Sequence, residues 1–82
     1  MKILPLHLEI KNYLRKRNLV KKFEKQKRIF ETSPFCSSLK TKLLEPKKMR
    51  IWSFRVNRKY RAIFIFHKKD VVEIIDINNH YQ

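Results

Sequence analysis

Two arginines, Arg55 and Arg61, stand on either side of a short polar segment, 57–59, within a stretch rich in aromatic and β-branched residues. The planar guanidinium fork matches the oxygens of a phosphate, so two arginines on one surface could hold a phosphate of a nucleic-acid backbone. Four preceding lysines would extend such a surface: Lys40, Lys42, Lys47 and Lys48. The alternative, which composition alone favours, is that all six are ordinary solvent-facing cations of a basic protein.

A histidine and a tyrosine stand at the end of the sequence. His80 and Tyr81 offer proton transfer near neutral pH, where imidazole titrates. Taken alone, such a terminal pair is more often a frayed tail than a site. His7, His67 and Cys36 have no metal-ligand spacing, and a sequence with no glycine has no glycine-rich phosphate loop. We therefore expect no metal and no small-molecule cofactor, and nucleoside triphosphate hydrolysis is excluded.

The arginines belong to a predicted β-hairpin, Ile51–Phe66, because two strand-like runs flank the polar segment. Side chains alternate across a strand, so one face of the hairpin is apolar, with Trp52, Phe54, Val56, Tyr60, Ala62, Phe64 and Phe66. The other face is mixed. A three-residue loop puts Arg55 opposite Arg61 on that mixed face, whereas a two-residue turn points Arg61 at the core. The sequence leaves both registers open.

The rest of the chain supplies the elements that must position this hairpin. Met1–Leu6 predicts a short first strand, and apolar residues at spacings of three and four predict helices over His7–Arg17 and Leu19–Thr32. Pro34–Arg50 reads as a loop or an irregular edge segment, because proline does not suit a central strand. Val71–Ile77 predicts a last strand.

These elements predict an α+β fold, a small single domain over residues 1–82 with the order β-α-α-β-β-β. Two N-terminal helices would pack on one face of a mostly antiparallel sheet of three or four strands. Without glycine, backbone positions with positive φ should fall to asparagine: Asn18, Asn57, Asn78 or Asn79.

A net charge of +14 on 82 residues points to a polyanionic partner: nucleic acid, an acidic protein or an anionic membrane surface. A membrane-surface role is disfavoured, because the apolar stripe of the helices is needed to cover the hairpin. One cysteine, no stretch resembling a signal peptide and no apolar run of membrane-spanning length predict a cytoplasmic protein without membrane association.

The order of these parts resembles the RelE/ParE superfamily of toxins from type II toxin–antitoxin systems. Members commonly carry Pro-x-x-x-Ser-Leu-Lys, a basic stretch containing leucine, then Trp-Ser-x-Arg and Tyr-Arg. Here the corresponding segments are Pro34–Lys40, Trp52–Arg55 and Tyr60–Arg61. The similarity covers nearly the whole chain and implies a RelE-like fold.

The resemblance also implies an activity: ribosome-dependent endoribonuclease cleavage of messenger RNA, without a metal, by attack of a ribose 2′-hydroxyl on the adjacent phosphorus. By match to the superfamily's motifs, Arg61 would stabilise the charge on that phosphorus, and Arg55 would hold a phosphate. His80 would be the acid, or the base if no other residue serves, and Tyr81 would orient the phosphate or stack on a nucleobase. In one branch a glutamate stands where Lys42 aligns, which makes the nearby Glu45 a possible base. Another branch uses lysines in this loop, so Lys42 or Lys40 is the alternative base.

The partners implied are the ribosome, messenger RNA and a cognate antitoxin with an acidic segment. A groove beside the helices, around Tyr13 and Phe23, is the expected antitoxin docking surface. Two alternatives remain open: a non-nucleolytic ParE-like inhibitor of gyrase, and a degenerate toxin that only binds its antitoxin.

Overall fold

This computed structural model describes residues 1–79 of the chain, which contain two helices and five strands. The helices are α1 (Leu8–Lys16) and α2 (Val20–Thr32). The strands are β1 (Lys2–Ile3), β2 (Lys42–Leu43), β3 (Trp52–Arg55), β4 (Arg61–Lys68) and β5 (Val71–Asn78). Two short 3-10 turns, Ser37–Leu39 and Lys47–Met49, flank β2. Within residues 1–79, no helix has the length and apolar character of a membrane span.

All five strands form one sheet in the order β1-β5-β4-β3-β2. β1 is parallel to β5, and the other neighbours are antiparallel. The predicted α+β fold with a mostly antiparallel sheet is confirmed. The predicted number of three or four strands is too low, because a short strand forms inside the segment expected to be irregular, where Lys42 pairs with Ser53 and Leu43 with Trp52.

The two helices form where apolar periodicity predicts them, each slightly shorter than its predicted range. Asn18 ends the first helical segment with φ 58°, the left-handed conformation that asparagine tolerates. The Leu19 N–H then donates to the Leu14 carbonyl, at 2.8 Å. This tight connection lets both helices pack on the same side of the sheet.

Aromatic side chains join α2 to the centre of the sheet. The Phe30 ring centroid lies 4.9 Å from that of Phe54 on β3 and 5.0 Å from that of Phe64 on β4. Phe23 stacks on Phe54 at 6.2 Å, and all four rings are fully buried. Phe23 is therefore part of the core, and the expectation that it forms part of an antitoxin docking surface is wrong. Tyr13 is half-buried, with its ring against Tyr60 and beneath the Arg17 guanidinium.

Two positively charged residues adopt the left-handed conformation that the sequence assigned to asparagines. Lys40 (φ 47°) and Arg50 (φ 56°) each end one of the 3-10 turns. This conformation costs a residue other than glycine about 1–2 kcal/mol. Asn57 serves the hairpin loop differently, because its side-chain oxygen accepts the N–H groups of Lys59 and Tyr60 at 2.9 and 2.8 Å.

A glutamate joins the N-terminal segment to the far end of the sheet. Glu73 on β5 accepts a hydrogen bond from His7, just before α1, and another from His67 on β4, both at 2.6 Å. Hydrogen bonds from His67 and then His7 lower the pKa of the Glu73 carboxyl from its ordinary value. This carboxylate is therefore stabilised in its charged form in the folded protein.

The core predicts a large contrast between two phenylalanines. Phe30→Ala should lower the free energy of unfolding by about 3–5 kcal/mol, because the cavity would lie beside the buried rings of Phe54 and Phe64. Phe35→Ala, at a side chain 63% exposed, should cost less than about 1.5 kcal/mol. Urea denaturation of both variants measures the contrast, and equal losses would contradict this description of the core.

The Glu73 cluster predicts a pH dependence. Its folded-state pKa is lowered, so its contribution to stability is full above the ordinary glutamate pKa of about 4.3 and is lost as the pH falls through the lower folded value. Glu73→Gln should therefore destabilise the protein at pH 7, and the difference from wild type should shrink below about pH 4. Asp70→Asn removes an exposed carboxylate from the β4–β5 turn as a charge control. A Glu73→Gln difference that does not change between pH 7 and pH 3, in denaturation curves, would refute this role.

Candidate functional site

Two rows of side chains cross the face of the sheet that points away from the helices. Paired residues on antiparallel strands point to the same side, so the strand register defines the rows. The first row is Lys42, Ser53, Ile63 and Asp76. The second row is Arg55, Arg61 and Asn78. Phe54 and Phe64, which contact α2, lie on the opposite face. We call the face that carries the two rows the cationic face.

The hairpin loop decides between the two registers that the sequence leaves open. The Val56 N–H donates to the Tyr60 carbonyl at 2.9 Å, which leaves three residues, 57–59, in the loop. Arg55 and Arg61 are consequently cross-strand partners. Both lie on the mixed face, as the three-residue loop requires.

The Arg61 guanidinium is buried and fastened to backbone and side-chain oxygens. Arg61 is 7% exposed, and its Nε donates to the Ser53 hydroxyl at 2.8 Å. Its Nη2 donates to the Ser53 carbonyl at 3.3 Å and to the Lys40 carbonyl. One side chain on β4 thus holds β3 and the turn that precedes β2.

The positive charge of Arg61 is buried, and burying a charge costs free energy. Burial, and then the positive charge of Arg55 across the hairpin, lower its pKa from the ordinary value. Arginine stays protonated in proteins, so the charge remains. Its hydrogen-bond partners Ser53 and Lys40 contribute neutral oxygens, which satisfy the N–H groups without cancelling that charge.

Arg55 is positioned through its backbone by a buried glutamine. Gln26 on α2 donates its side-chain N–H to the Arg55 carbonyl at 2.8 Å and to the Ser38 carbonyl at 3.4 Å. Gln26 is 9% exposed, so these bonds are made inside the protein. The Arg55 side chain itself is half-buried at the margin of the cationic face.

The four lysines of the preceding loop separate into two pairs. Lys40 and Lys42 are exposed and lie beside the arginines: the carbonyl of Lys40 binds Arg61, and Lys42 pairs with Ser53. Lys47 and Lys48 belong to the second 3-10 turn, at the Trp52 end of β3. Three residues of strand, about 10 Å, separate that end from Arg55.

Within residues 1–79, no carboxylate compensates the positive charge of the two arginines. Among residues 1–79 the salt bridges are the two made by Glu73, so no carboxylate of that range pairs with Arg55 or Arg61. Asp76, in the neighbouring row, accepts hydrogen bonds from the Asn78 amide and the Ile77 N–H. Two like charges that face each other across strands favour an anion between them.

The structure adds two residues that the sequence did not nominate, and leaves two predicted ones undescribed. Ser53 binds the Arg61 guanidinium, and Gln26 binds the Arg55 carbonyl. The sequence features that could have indicated them are a serine among large strand residues and a glutamine flanking the apolar stripe of α2. His80 and Tyr81 lie outside the described residues. Glu45 is exposed, past the end of β2.

Residues 9–80 match the model of a HigB-like toxin family, described as the RelE-like toxin of the type II toxin–antitoxin system HigB. No curated protein sequence matches the chain significantly.

Solved structures share the fold at low sequence identity. A YoeB/ParE toxin from Agrobacterium tumefaciens is 20% identical, with a TM-score of 0.69 over 99% of this chain and 100% of that one. The YoeB dimer from Staphylococcus aureus is 18% identical, with a TM-score of 0.71 over 98% and 94% of the two chains. A heterotetrameric YoeB–YefM toxin–antitoxin complex from the same organism matches with 18% identity and a TM-score of 0.69 over the same shares.

The buried guanidinium predicts that the two arginines differ in their effect on stability. Arg61→Ala leaves the Ser53 and Lys40 oxygens without their donor, so it should destabilise the fold by about 1–3 kcal/mol. It should also speed amide hydrogen exchange in residues 37–44. Arg55→Ala, the matched control on the facing strand, should change stability by less than about 1 kcal/mol. Similar denaturation and exchange profiles for the two variants would contradict the tethering role of Arg61.

Proposed function

Because the chain belongs to the family of RelE-like toxins of type II toxin–antitoxin systems, we propose that it is a ribosome-dependent endoribonuclease that cuts messenger RNA without a metal. The observation that supports this most directly is the cationic face. There Arg55 and Arg61 are cross-strand partners, and no carboxylate of residues 1–79 pairs with them. That arrangement suits a bridging phosphate.

The proposed reaction is an internal transfer at one phosphate. The 2′-oxygen of a ribose forms a bond to the adjacent phosphorus while the bond to the 5′-oxygen breaks. The products carry a 2′,3′-cyclic phosphate and a free 5′-hydroxyl. A base takes the proton of the 2′-hydroxyl, cations stabilise the negative charge on the phosphorane, and an acid protonates the leaving oxygen.

We assign the cationic roles to the two arginines and the lysines beside them. Arg55, with its side chain at the margin of the face, contacts the scissile phosphate. Arg61 contributes its charge from below, where burial reduces screening by water. Lys40 holds the phosphate on one side. Lys47 and Lys48 contact RNA further along the strand.

The base is assigned to Lys42 in preference to Glu45. Lys42 pairs with Ser53 and points to the same face as Arg61, whereas Glu45 follows the end of β2.

The acid is assigned to His80, with Tyr81 orienting the phosphate or stacking on a base. The support is covalent connectivity, since β5 ends at Asn78, whose strand partner is Arg61. Two residues of extended chain span at most about 7 Å from that point, which is within the dimensions of one phosphate site.

The proposed partner for silencing is an antitoxin with an acidic segment that orders as it binds. A net charge of +14 complements such a segment, and charge pairing would offset part of the ordering entropy. YoeB from Staphylococcus aureus, which has a similar fold, forms a heterotetrameric toxin–antitoxin complex with YefM.

The proposed site predicts the loss of cleavage in three variants. Primer extension on a message translated in vitro should show cuts with the wild-type protein. Arg55→Ala, Lys42→Ala and His80→Ala should each cleave about 10² to 10³ times more slowly, because one charged contact or proton transfer in the transition state is lost. Lys69→Ala removes an exposed lysine from the β4–β5 turn and should cleave normally.

The same assay separates the rival functions. Cleavage that all three variants perform like wild type would remove this site. Intact messages together with induction of the DNA-damage response would favour the gyrase-directed alternative. Neither effect, with retained antitoxin binding, would identify a degenerate toxin.

A further inference from the structure

An open cavity lies on the helix-bearing face of the sheet, away from the cationic face. It has a volume of about 470 Å³ and is lined by Arg50, Trp52 and Phe66. Trp52 and Phe66 stand one side-chain step beyond Phe54 and Phe64 along β3 and β4, where the rings of α2 no longer cover the sheet. The cavity takes no part in the proposed cleavage.

Two large apolar side chains next to the lining residues are exposed to solvent: Phe35, whose ring contacts Trp52, and Met49, which precedes Arg50 in the chain. Phe35 is 63% exposed and Met49 is 58% exposed. The Trp52 ring makes edge contacts with Phe35 and with Phe66, with both centroid distances 5.8 Å. These contacts fix the position of the Trp52 ring, which forms one wall of the cavity. We call Phe35, Met49, Arg50, Trp52 and Phe66 together the aromatic surface.

The composition of the aromatic surface is that of a protein-binding site. Tryptophan, phenylalanine, methionine and arginine are the residue types enriched at protein interfaces, and tryptophan and arginine lead among residues that carry binding energy. The turn beside the cavity adds exposed Lys47 and Lys48. The surface therefore combines an apolar cavity with a positively charged margin.

We propose that the aromatic surface binds an acidic polypeptide segment, which places a large apolar side chain in the cavity and its carboxylates against Arg50, Lys47 and Lys48. The inference deepens the proposed function, because the segment would belong to the antitoxin. By occupying Lys47 and Lys48, such a segment would also take two cations away from RNA.

RNA is the less suitable occupant. The arginines proposed to hold the scissile phosphate point to the other side of the sheet, so a strand bound there does not reach the cavity through the sheet. An acidic peptide with an apolar anchor residue suits this surface better. Its carboxylates complement the positively charged margin, and its anchor fills the cavity.

Trp52 is the single tryptophan of the chain, so its fluorescence reports directly on this surface. The probe is a tryptophan-free peptide of about 14 residues, with alternating glutamate and leucine and a central phenylalanine. We expect a saturable change of Trp52 emission. An analogue with serine at every apolar position keeps the charge and should bind at least about tenfold more weakly.

Variants of exposed residues test the location without endangering the fold. Phe35→Ser and Met49→Ser should each weaken peptide binding by about tenfold, a loss of about 1.4 kcal/mol. Leu8→Ser, at a side chain 69% exposed on α1, is the matched control and should bind like wild type. Lys48→Glu should weaken binding, most strongly at low salt.

Several outcomes would overturn the proposal: equal binding of the serine analogue, wild-type affinity of both Phe35→Ser and Met49→Ser, or an oligouridylate that changes Trp52 emission more strongly than the peptide does. The cleavage assay is independent of this one. A protein that binds the peptide but cuts no message would refute the proposed nuclease and leave the aromatic surface standing. A protein that cuts messages but does not bind the peptide would refute the aromatic surface as a binding site and leave the proposed nuclease standing.

Discussion

The pairing of Arg55 with Arg61 across the β3–β4 hairpin determines what each face of the sheet carries. With this register, Phe54 and Phe64 point toward α2 and complete the core. A shift of one residue would exchange the faces, burying a charge among phenylalanines and exposing the aromatic rings. The loop of residues 57–59 and the aromatic packing enforce the same register, so core and cationic face are specified together.

The cost of that register is a buried positive charge at Arg61. The fold meets the hydrogen-bonding need of the guanidinium with the oxygens of Ser53 and the carbonyl of Lys40. The same bonds attach the turn before β2 to the sheet and bring Lys40 and Lys42 beside the arginines. A charge that is costly to bury thereby organises a surface suited to an anion.

The basic segment between α2 and β3 serves two sides of the molecule. Its first part, held by Arg61 and Gln26, lies along the cationic face. Its second part carries Lys47, Lys48 and Arg50 to the aromatic surface, about 10 Å away along β3. One basic segment of the sequence therefore forms two separate surfaces with different neighbours. In our proposals both contact RNA, and the second also binds an acidic polypeptide segment.

Local patterns in the sequence determined the helices, the hairpin and its apolar face, because these depend on periodicity and on residue type over short spans. The Pro34–Lys40 segment and the Trp-Ser-x-Arg and Tyr-Arg motifs likewise indicated the superfamily. Only the tertiary structure decided whether the Arg61 side chain faces the core. It also decided that a fifth strand forms at Lys42 and that Lys47 lies away from the two arginines. Those outcomes depend on long-range hydrogen bonds, such as Arg61 to the Lys40 carbonyl and Gln26 to the Arg55 carbonyl, which join residues far apart in the chain. Periodicity and motif spacing carry no information about such pairings, because the closing of each loop depends on how well the rest of the core packs.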